Sequence, residues 1–280
     1  MFCAMASPQT RPADGGTEPT GAPLTPATAI DPSRIVDLSE PWSPASWPYP
    51  GHPKTTETIH QTFPKDRART WIVTTTMHVG THVDAPMHFA SVGADVASLT
   101  FEQLVRPGYV VDLRDVVDQW HVVTPEEVEA HLPGPIEAGD ALILRYGWQR
   151  FNKGYEEENE DVFFNRHPGP GRALVEWMIE KEIAWVGSDA ASFEHPANIY
   201  LRSMRPDLIP EMKQKLDGSE TFDEDSWLIA HRAMLERGQL HVDQVGGDLD
   251  RVPAERVTLG LFPFRYVGGE AAVCRLVAFI

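Results

Sequence analysis

The sequence predicts a protein of the α/β class, and two observations lead to this assignment. Short apolar runs rich in β-branched and aromatic residues, which are typical of strands, recur along most of the chain. Segments with the apolar spacing or the start signals of helices lie between them. At 280 residues the chain is long enough to bury a core, either as one large domain or as two smaller ones.

The first half of the chain contains four predicted strands and two predicted helices. The second helix has a strong start, because Thr124 can cap it, Pro125 suits its first position and Glu127 completes a capping box. In order, the elements are strand 34–38, strand 71–76, helix 100–104, strand 109–113, helix 124–130 and strand 141–146.

The second half contains two predicted helices and four predicted strands. Apolar residues at helical spacing, including Leu174, Trp177 and Met178, predict the first helix, and Gly238 is a common C-terminal stop for the second. In order, the elements are helix 171–181, strand 184–187, helix 224–237, strand 239–242, strand 259–264 and strand 272–279. Ligands of α/β sheets bind beyond strand ends, so residues 188–195 are expected to form a wall of the site.

Residues 1–32 differ from the rest, being rich in Pro, Thr, Ala and Gly with few large apolar side chains. We expect a disordered tail here, or alternatively an arm on a partner subunit, and a folded domain over 33–280. The first residues lack the basic segment of a signal peptide, so none is expected.

The overall charge limits the classes of partner. The chain has 24 basic and 41 acidic residues, a formal net charge of −17, which disfavours nucleic acid and anionic membranes. No apolar run reaches the length of a membrane span. Cys3 and Cys274 do not make a disulfide framework. We therefore expect a cytoplasmic protein whose partner is a small-molecule substrate.

Four polar residues with metal-binding chemistry lie within eleven positions, namely His78, His82, Asp84 and His88. If strand 71–76 continues through them, these even-numbered residues point to one side, because side chains of a strand alternate. Gly80 then leaves room on that side for an ion or a substrate, and Pro86 lets the chain leave the sheet. The other side would face a core with Val79, Val83, Met87 and Phe89.

Two alternatives are less favoured. A helix would also bring His78 and His82 together, but it would turn Asp84 away, and Gly80 and Pro86 disfavour a helix. A set of solvated or core histidines is the other alternative, which the convergence of four groups argues against.

Two neutral imidazoles and a carboxylate suit a divalent metal, zinc or manganese in particular. His88 is then a spare imidazole suited to proton transfer.

The stretch from His78 to Phe89 matches the pattern HxGTHxDxPxHF in full, and the chain thereby resembles the metal-dependent cyclase-family hydrolases, which include bacterial kynurenine formamidase and isatin hydrolase. That family also has a later helix histidine followed twelve residues on by an acid, and His231 and Asp243 match this spacing. Weaker similarities cover roughly residues 34–280, at 37–39, 49–51, 138–148 and 187–192.

The resemblance implies a swivelling β/β/α fold with a barrel-like central sheet and surrounding helices, and a homo-oligomer, commonly a dimer. It also implies that His231 and Asp243 complete a second metal position, with Asp84 and Asp243 bridging. Taken alone, His231 could equally be a solvent-facing helix residue or a polar contact in the core.

For substrate binding we consider Trp47, Tyr49 and Ser192. The two aromatic residues, with Trp42, could line a pocket for a flat ring or could instead pack on the surface beside the prolines. Ser192 belongs to the segment that resembles the family's strand-end motif.

Several positions depart from the family pattern. Kynurenine formamidases usually carry Glu where this chain has Asp243 and Trp where it has Tyr49, and residues 151–168 and 199–223 look like additional segments. Because Asp is one methylene shorter than Glu, we expect one tightly held ion on His78, His82 and Asp84, with a second position only partly occupied.

The function implied is a metal-dependent hydrolase that cleaves an amide, formamide or lactam C–N bond of a small, aromatic substrate. The metal would activate water, and His88 would move the proton. One alternative is a cyclase or lyase acting on a hydroxy-acid or polyketide-like substrate. The other is a non-catalytic metal-binding protein, which has no need of His88.

Overall fold

The computed structural model describes residues 30–199, 201–216 and 222–280. Residues 1–29 of the predicted tail, with Cys3, lie outside the described residues. Tyr200 and residues 217–221 of the additional segment 199–223 do so too.

The described residues form strands and helices that alternate along the chain. In order, they are β1 (Ile35–Asp37), β2 (Thr56–Gln61), β3 (Thr70–Thr74), β4 (His82–Asp84), α1 (Phe101–Leu104), β5 (Val105–Asp112), β6 (Val122–Val123), α2 (Pro125–His131), β7 (Ala141–Arg145), α3 (Glu160–Asn165), β8 (Gly169–Pro170), α4 (Arg172–Glu180), β9 (Trp185–Ser188), α5 (Leu201–Met204), α6 (Ile209–Lys215), α7 (Ile229–Leu235), β10 (Leu240–Asp243), β11 (Val257–Pro263) and β12 (Ala271–Phe279).

Eight of these strands form one sheet in the order β1-β12-β11-β5-β7-β9-β10-β4. Strand β4 also pairs with β12, which closes seven strands into a barrel and leaves β1 attached outside the ring. The segment β5-β7-β9-β10 is parallel, and the remaining pairings are antiparallel. This confirms the predicted α/β class with a barrel-like central sheet.

The two faces of this sheet have separate cores. Alternate strand residues such as Val83, Ile143 and Val242 belong to one apolar cluster, which is made mostly of strand residues and fills the barrel. The intervening residues, such as Leu142 and Val186, belong to a second cluster with residues of α2, α3, α4 and α7. Polar residues that alternate with the inward-facing valines therefore face the helices.

The prediction that one continuous strand runs through the histidine motif is wrong. Strand β3 ends at Thr74 and pairs only with β2, in a separate two-stranded sheet whose side chains are mostly exposed. Pro86 does end the following strand, but the chain then forms a 3-10 turn over Pro86–His88. As a result Met87, predicted to face a core, is 39% exposed.

The predicted helices 100–104, 124–130 and 171–181 are confirmed as α1, α2 and α4. Both halves of the capping box at Thr124 and Glu127 are present. The predicted helix 224–237 is interrupted: a 3-10 turn over Glu224–Ser226 is followed by α7, and between them Leu228 adopts a φ of 52°.

Within the described ranges, every helix is too short or too polar to traverse a bilayer.

Candidate metal centre

The floor of the site is one face of the antiparallel pair β4–β10. In this pair Asp84 lies opposite His241, Val83 opposite Val242, and His82 opposite Asp243. Residues that face each other across a ladder point to the same side, and neighbours along a strand alternate. The two valines therefore enter the barrel, and the four polar side chains gather on the helix-facing side, where all four are buried.

His78 reaches the same place from a turn rather than from the strand. Gly80 has a φ of 63°, in the left-handed region that glycine adopts without strain, and it reverses the chain between the two histidines. His78 Nδ1 lies 3.3 Å from His82 Nε2 and 3.2 Å from Asp84 Oδ1. The role of Gly80 is therefore to shape this turn.

Hydrogen bonds to the backbone fix which nitrogen of His82 is available. His82 Nδ1 lies 2.8 Å from the carbonyl oxygen of Gly80, which can only accept, so Nδ1 carries the proton. The lone pair of Nε2 then faces His78 and Asp84. Burial lowers the pKa of His82 to about 4, which keeps its ring neutral.

The helix α7 and the strand β10 supply two further groups. His231 Nε2 lies 3.8 Å from Asp84 Oδ2. Asp243 Oδ1 accepts a 2.7 Å hydrogen bond from the backbone N–H of Phe193, and its Oδ2 lies 4.0 Å from His82 Nε2. Burial and the nearby charge of Asp84 raise the pKa of Asp243 to about 7.

Two overlapping groups of donors result, and each could hold a metal ion. One is His78, His82 and Asp84; the other is Asp84, His231 and Asp243, with all donor atoms in a group within 4.8 Å of one another. The 3.3 Å between the nitrogens of His78 and His82 is close to the edge of a tetrahedron with metal–nitrogen bonds of about 2.0–2.1 Å. The donor set thus fits a divalent metal.

The charge on Asp84 supports the same conclusion. Burial alone would raise its pKa, but the adjacent His78, with His88 and His82, holds the pKa of Asp84 well below its usual range. Its Oδ1 is buried and lies 3.2 Å from the imidazole Nδ1 of His78. A buried carboxylate needs a compensating cation. Without an ion that cation is His78, because the charge of Asp84 outweighs burial and raises the pKa of His78 to about 9, and a metal held by the same residues would take its place.

His88 stands beside the two groups without belonging to either. The 3-10 turn places its Nε2 3.9 Å from Asp84 Oδ2, and its ring centroid is 4.5 Å from that of His78. Burial lowers the pKa of His88 to about 4, so the ring is a neutral proton acceptor at pH 7.

A cavity of about 210 Å³ opens onto these groups. The described residues that line it are Tyr49, His52, His78, His82, Asp84, His88, Phe89, Ser192, Ile199, Leu228, His231 and Asp243. All predicted site residues line this cavity except Trp47. Its ring is half-buried and packs against the helix-side core, with ring centroids 6.2 Å from Phe163 and 6.0 Å from Phe164.

Six residues at or behind the cavity were missed by sequence reasoning, namely His52, Phe89, Glu194, Ile199, Leu228 and His241. The sequence predicts that Phe89 faces the core on the opposite side, but the 3-10 turn over Pro86–His88 changes its direction. His241 could have been found, because it precedes Asp243 by two residues and must share its face. His52 directly follows the segment 49–51, and Glu194 lies in the expected wall 188–195. The positions of His52 in the cavity lining and of Glu194 behind it become clear only from the fold.

A family model described as "Putative cyclase" matches residues 36–195, which is more than half of the chain. The chain belongs to the cyclase family. The matched range includes the whole motif from His78 to Phe89 and ends before His231 and Asp243.

Curated cyclase-family relatives include two enzymes named kynurenine formamidase. The protein of Erythrobacter litoralis is 28% identical over 248 residues, covering 87% of this chain and 93% of the relative. The protein of Salinibacter ruber is 26% identical over 247 residues, covering 87% and 96%.

Solved structures with the same fold include two isatin hydrolases. One, bound to the product analogue thioisatinate, has a TM-score of 0.70 at 21% identity and covers 88% of this chain and 92% of that chain. Isatin hydrolase A from Ralstonia solanacearum has a TM-score of 0.72 at 20% identity, covering 94% and 99%. These likenesses establish that the cyclase-family fold extends over nearly the whole described chain.

Proposed function

We propose that this cyclase-family protein is a metal-dependent hydrolase that cleaves the C–N bond of an amide, formamide or lactam in a small, aromatic substrate. The observation that carries the proposal is Asp84, a buried carboxylate shared by two groups of His and Asp donors at the floor of the cavity. The names of the relatives and structural neighbours, kynurenine formamidase and isatin hydrolase, support hydrolysis of this bond type.

His78, through Nδ1, and His82, through Nε2, would hold the first ion together with Asp84. His231 and Asp243 would complete a second position that shares Asp84. Nitrogen and carboxylate donors suit zinc or manganese. When bound, such an ion supplies Lewis acidity to water and to the substrate carbonyl.

The protein itself must move a proton and hold the substrate. We assign the proton transfer to His88. It accepts a proton from the attacking water and returns it to the leaving nitrogen as the C–N bond breaks. Its position beside both groups supports this role. Tyr49 and Phe89 offer aromatic faces to a ring, and Ser192 offers a hydroxyl group.

The lining of the cavity favours an uncharged substrate. No lysine or arginine is found among the described residues that line it, and the carboxylate of Glu270 lies 3.6 Å from His78 Nε2. A substrate carboxylate would find no lysine or arginine to pair with and could pair only with the metal, where it would compete with the reacting carbonyl. We therefore expect lactams and simple aryl formamides to be better substrates than amides that carry an amino-acid group.

A substrate panel tests the proposal directly. The purified protein is assayed with N-formylanilines, isatins and other lactams, before and after removal of metal by a chelator and after its return. We expect C–N cleavage that is lost with the metal and restored by zinc or manganese. Full activity in a metal-free preparation would falsify the proposal. Turnover of hydroxy acids alone would favour the lyase alternative.

We also propose that residues 33–280 act as one catalytic domain and that the chain is a homo-oligomer. The sheet of β2 and β3 supports the second point, because Ile59 lies opposite Trp71 on one face and both side chains are about half exposed. A two-stranded sheet is marginally stable alone, and contiguous exposed apolar side chains often mark an interface. Light scattering on the purified protein measures the oligomeric state, and a monomer at all concentrations would contradict the proposal.

A further inference from the structure

A buried carboxylate that belongs to neither donor group lies behind His231. Glu194 is fully buried, and its Oε2 lies 3.1 Å from His231 Nδ1. The same oxygen accepts hydrogen bonds from the backbone N–H groups of Ala230 at 2.9 Å and His231 at 3.2 Å. One carboxylate oxygen therefore holds both the ring and the backbone of His231.

The interruption of the predicted helix 224–237 makes this contact possible. The N–H groups in the first turn of a helix have no partner within the helix. Because α7 begins only at Ile229, after the positive φ of Leu228, the N–H groups of Ala230 and His231 are free to face Glu194. In an unbroken helix these two groups would bond to carbonyls one turn earlier.

The contact also decides which nitrogen of His231 carries the proton. Oε2 of Glu194 already accepts two backbone N–H groups, so it acts as an acceptor in the 3.1 Å contact as well, and Nδ1 of His231 is the donor. In the neutral ring that a metal requires, Nε2 then has the lone pair, and this atom is the one that lies 3.8 Å from Asp84 Oδ2.

We propose that Glu194 is the positioning residue of His231: it orients the ring, fixes the Nδ1–H tautomer and makes Nε2 a stronger metal ligand. A carboxylate behind a ligating imidazole acts in this way at many metal sites, and its loss commonly weakens metal binding about 10–100-fold. The inference rests on the proposed function, since it requires that His231 hold a metal.

A purely structural role, as the cap of α7, is the competing explanation. Glu194→Gln separates the two, because the amide is the same size and can still accept hydrogen bonds but carries no charge. Asp189→Asn is the matched control. Asp189 is also a buried carboxylate in the wall 188–195, and it accepts hydrogen bonds from the backbone N–H groups of Tyr146 and Trp148 without contacting a donor group.

The experiment has two readouts on full-length, metal-free protein. Zinc chloride is titrated against a chromophoric chelator, and ¹⁵N NMR of histidine-labelled protein reports the tautomer of each ring. For Glu194→Gln we expect the weaker zinc site to lose about 10–100-fold in affinity while the tighter site is unchanged. We also expect the His231 ring to lose its preference for the Nδ1–H form. Asp189→Asn should alter neither readout.

Other outcomes are equally decisive. If Glu194→Gln keeps the wild-type tautomer and zinc affinities, or changes them no more than Asp189→Asn, Glu194 only caps the helix and the inference is overturned. If the wild-type protein binds no zinc at all, the proposed function fails first, and the tautomer measurement still shows whether Glu194 orients His231.

Discussion

At the scale of single residues, Asp84 is the group on which both donor sets depend. Its Oδ1 is 3.2 Å from His78 Nδ1, and its Oδ2 is 3.8 Å from His231 Nε2. Asp243, by contrast, belongs to one set only and already commits one oxygen to the N–H of Phe193. The two aspartates are therefore not equivalent.

We predict that the wild-type protein keeps about one ion per chain after dialysis against metal-free buffer. The short side chain of Asp243 reaches about 1.5 Å less far than a glutamate would, which weakens a position requiring bonds of about 2.0–2.2 Å. Asp243→Glu should raise the metal content, and Asp84→Ala should cost more activity than Asp243→Ala. Elemental analysis measures the stoichiometry. Two firmly held ions in the wild type would show that the backbone compensates for the shorter side chain.

The second prediction concerns His88. His88→Ala should retain most of the metal and lose roughly 10²–10⁴ in turnover, the usual scale of general acid–base catalysis. His82→Ala is the control, since it should lose metal and activity together. Metal content and kcat are measured on the same preparations. If His88→Ala loses its metal, His88 is a ligand and the assigned role is wrong.

At the scale of elements, local rules predicted much of the structure but not how elements end. Period-two alternation correctly predicted that His82 and Asp84 share a face, because both lie on β4. The same rule was extended to His78 and His88, which in fact reach the site through the turn at Gly80 and the 3-10 turn after Ala85. Strand β3 ends at Thr74, opposite Thr56, where its partner β2 begins. Such pairing cannot be predicted from the local sequence.

The segment 151–168, which the sequence marked only as additional, is tied to the first loop of the domain. Tyr155 donates hydrogen bonds of 3.0 Å to both carboxylate oxygens of Glu40. Burial raises the pKa of Glu40 from its ordinary value of 4.5 to about 7. The folded protein therefore holds a proton on Glu40 that the unfolded chain releases at lower pH.

This gives a prediction of pH-dependent stability. The contribution of protonated Glu40 to the free energy of unfolding is complete below about pH 4.5. It is lost as the pH rises to about 7, because ionised Glu40 then places a buried charge in the folded state. Glu40→Gln should thus gain melting temperature relative to wild type as the pH increases from 5 to 8. Calorimetry at several pH values measures the difference. Glu57→Gln, at an exposed position of β2, is the control and should follow the wild type.

At the scale of the whole molecule, composition and element order predict the fold class but not the closure of the barrel. The alternation of strands and helices predicted the class, but closure depends on pairing between β4 and β12, which are far apart in sequence. The same holds for the cavity, where Ile199 and Leu228 meet Tyr49 and Phe89 from distant segments. Contacts between segments so far apart in sequence are determined by the packing of the complete fold.

The last prediction is that removing residues 1–30 leaves the fold and the metal content intact. The tail has too little apolar surface to contribute to a core. Melting temperature and metal content of the truncated and full-length proteins are compared side by side. A large drop in melting temperature on truncation would identify the tail as an arm across a subunit interface.

Strand β4 has only three residues, yet it joins the two ends of the barrel. Residues His82–Asp84 pair with β10 on one side and with β12 on the other, and both partners follow the motif at a long distance along the chain. A ribosome-bound chain therefore displays its histidine motif long before the strands that fix its geometry have emerged. Because ligand geometry of this kind is absent from an unfolded chain, we expect the centre to bind metal only after β10 and β12 have been synthesised. Translation products that stop before β12 contain the motif but cannot assemble the centre.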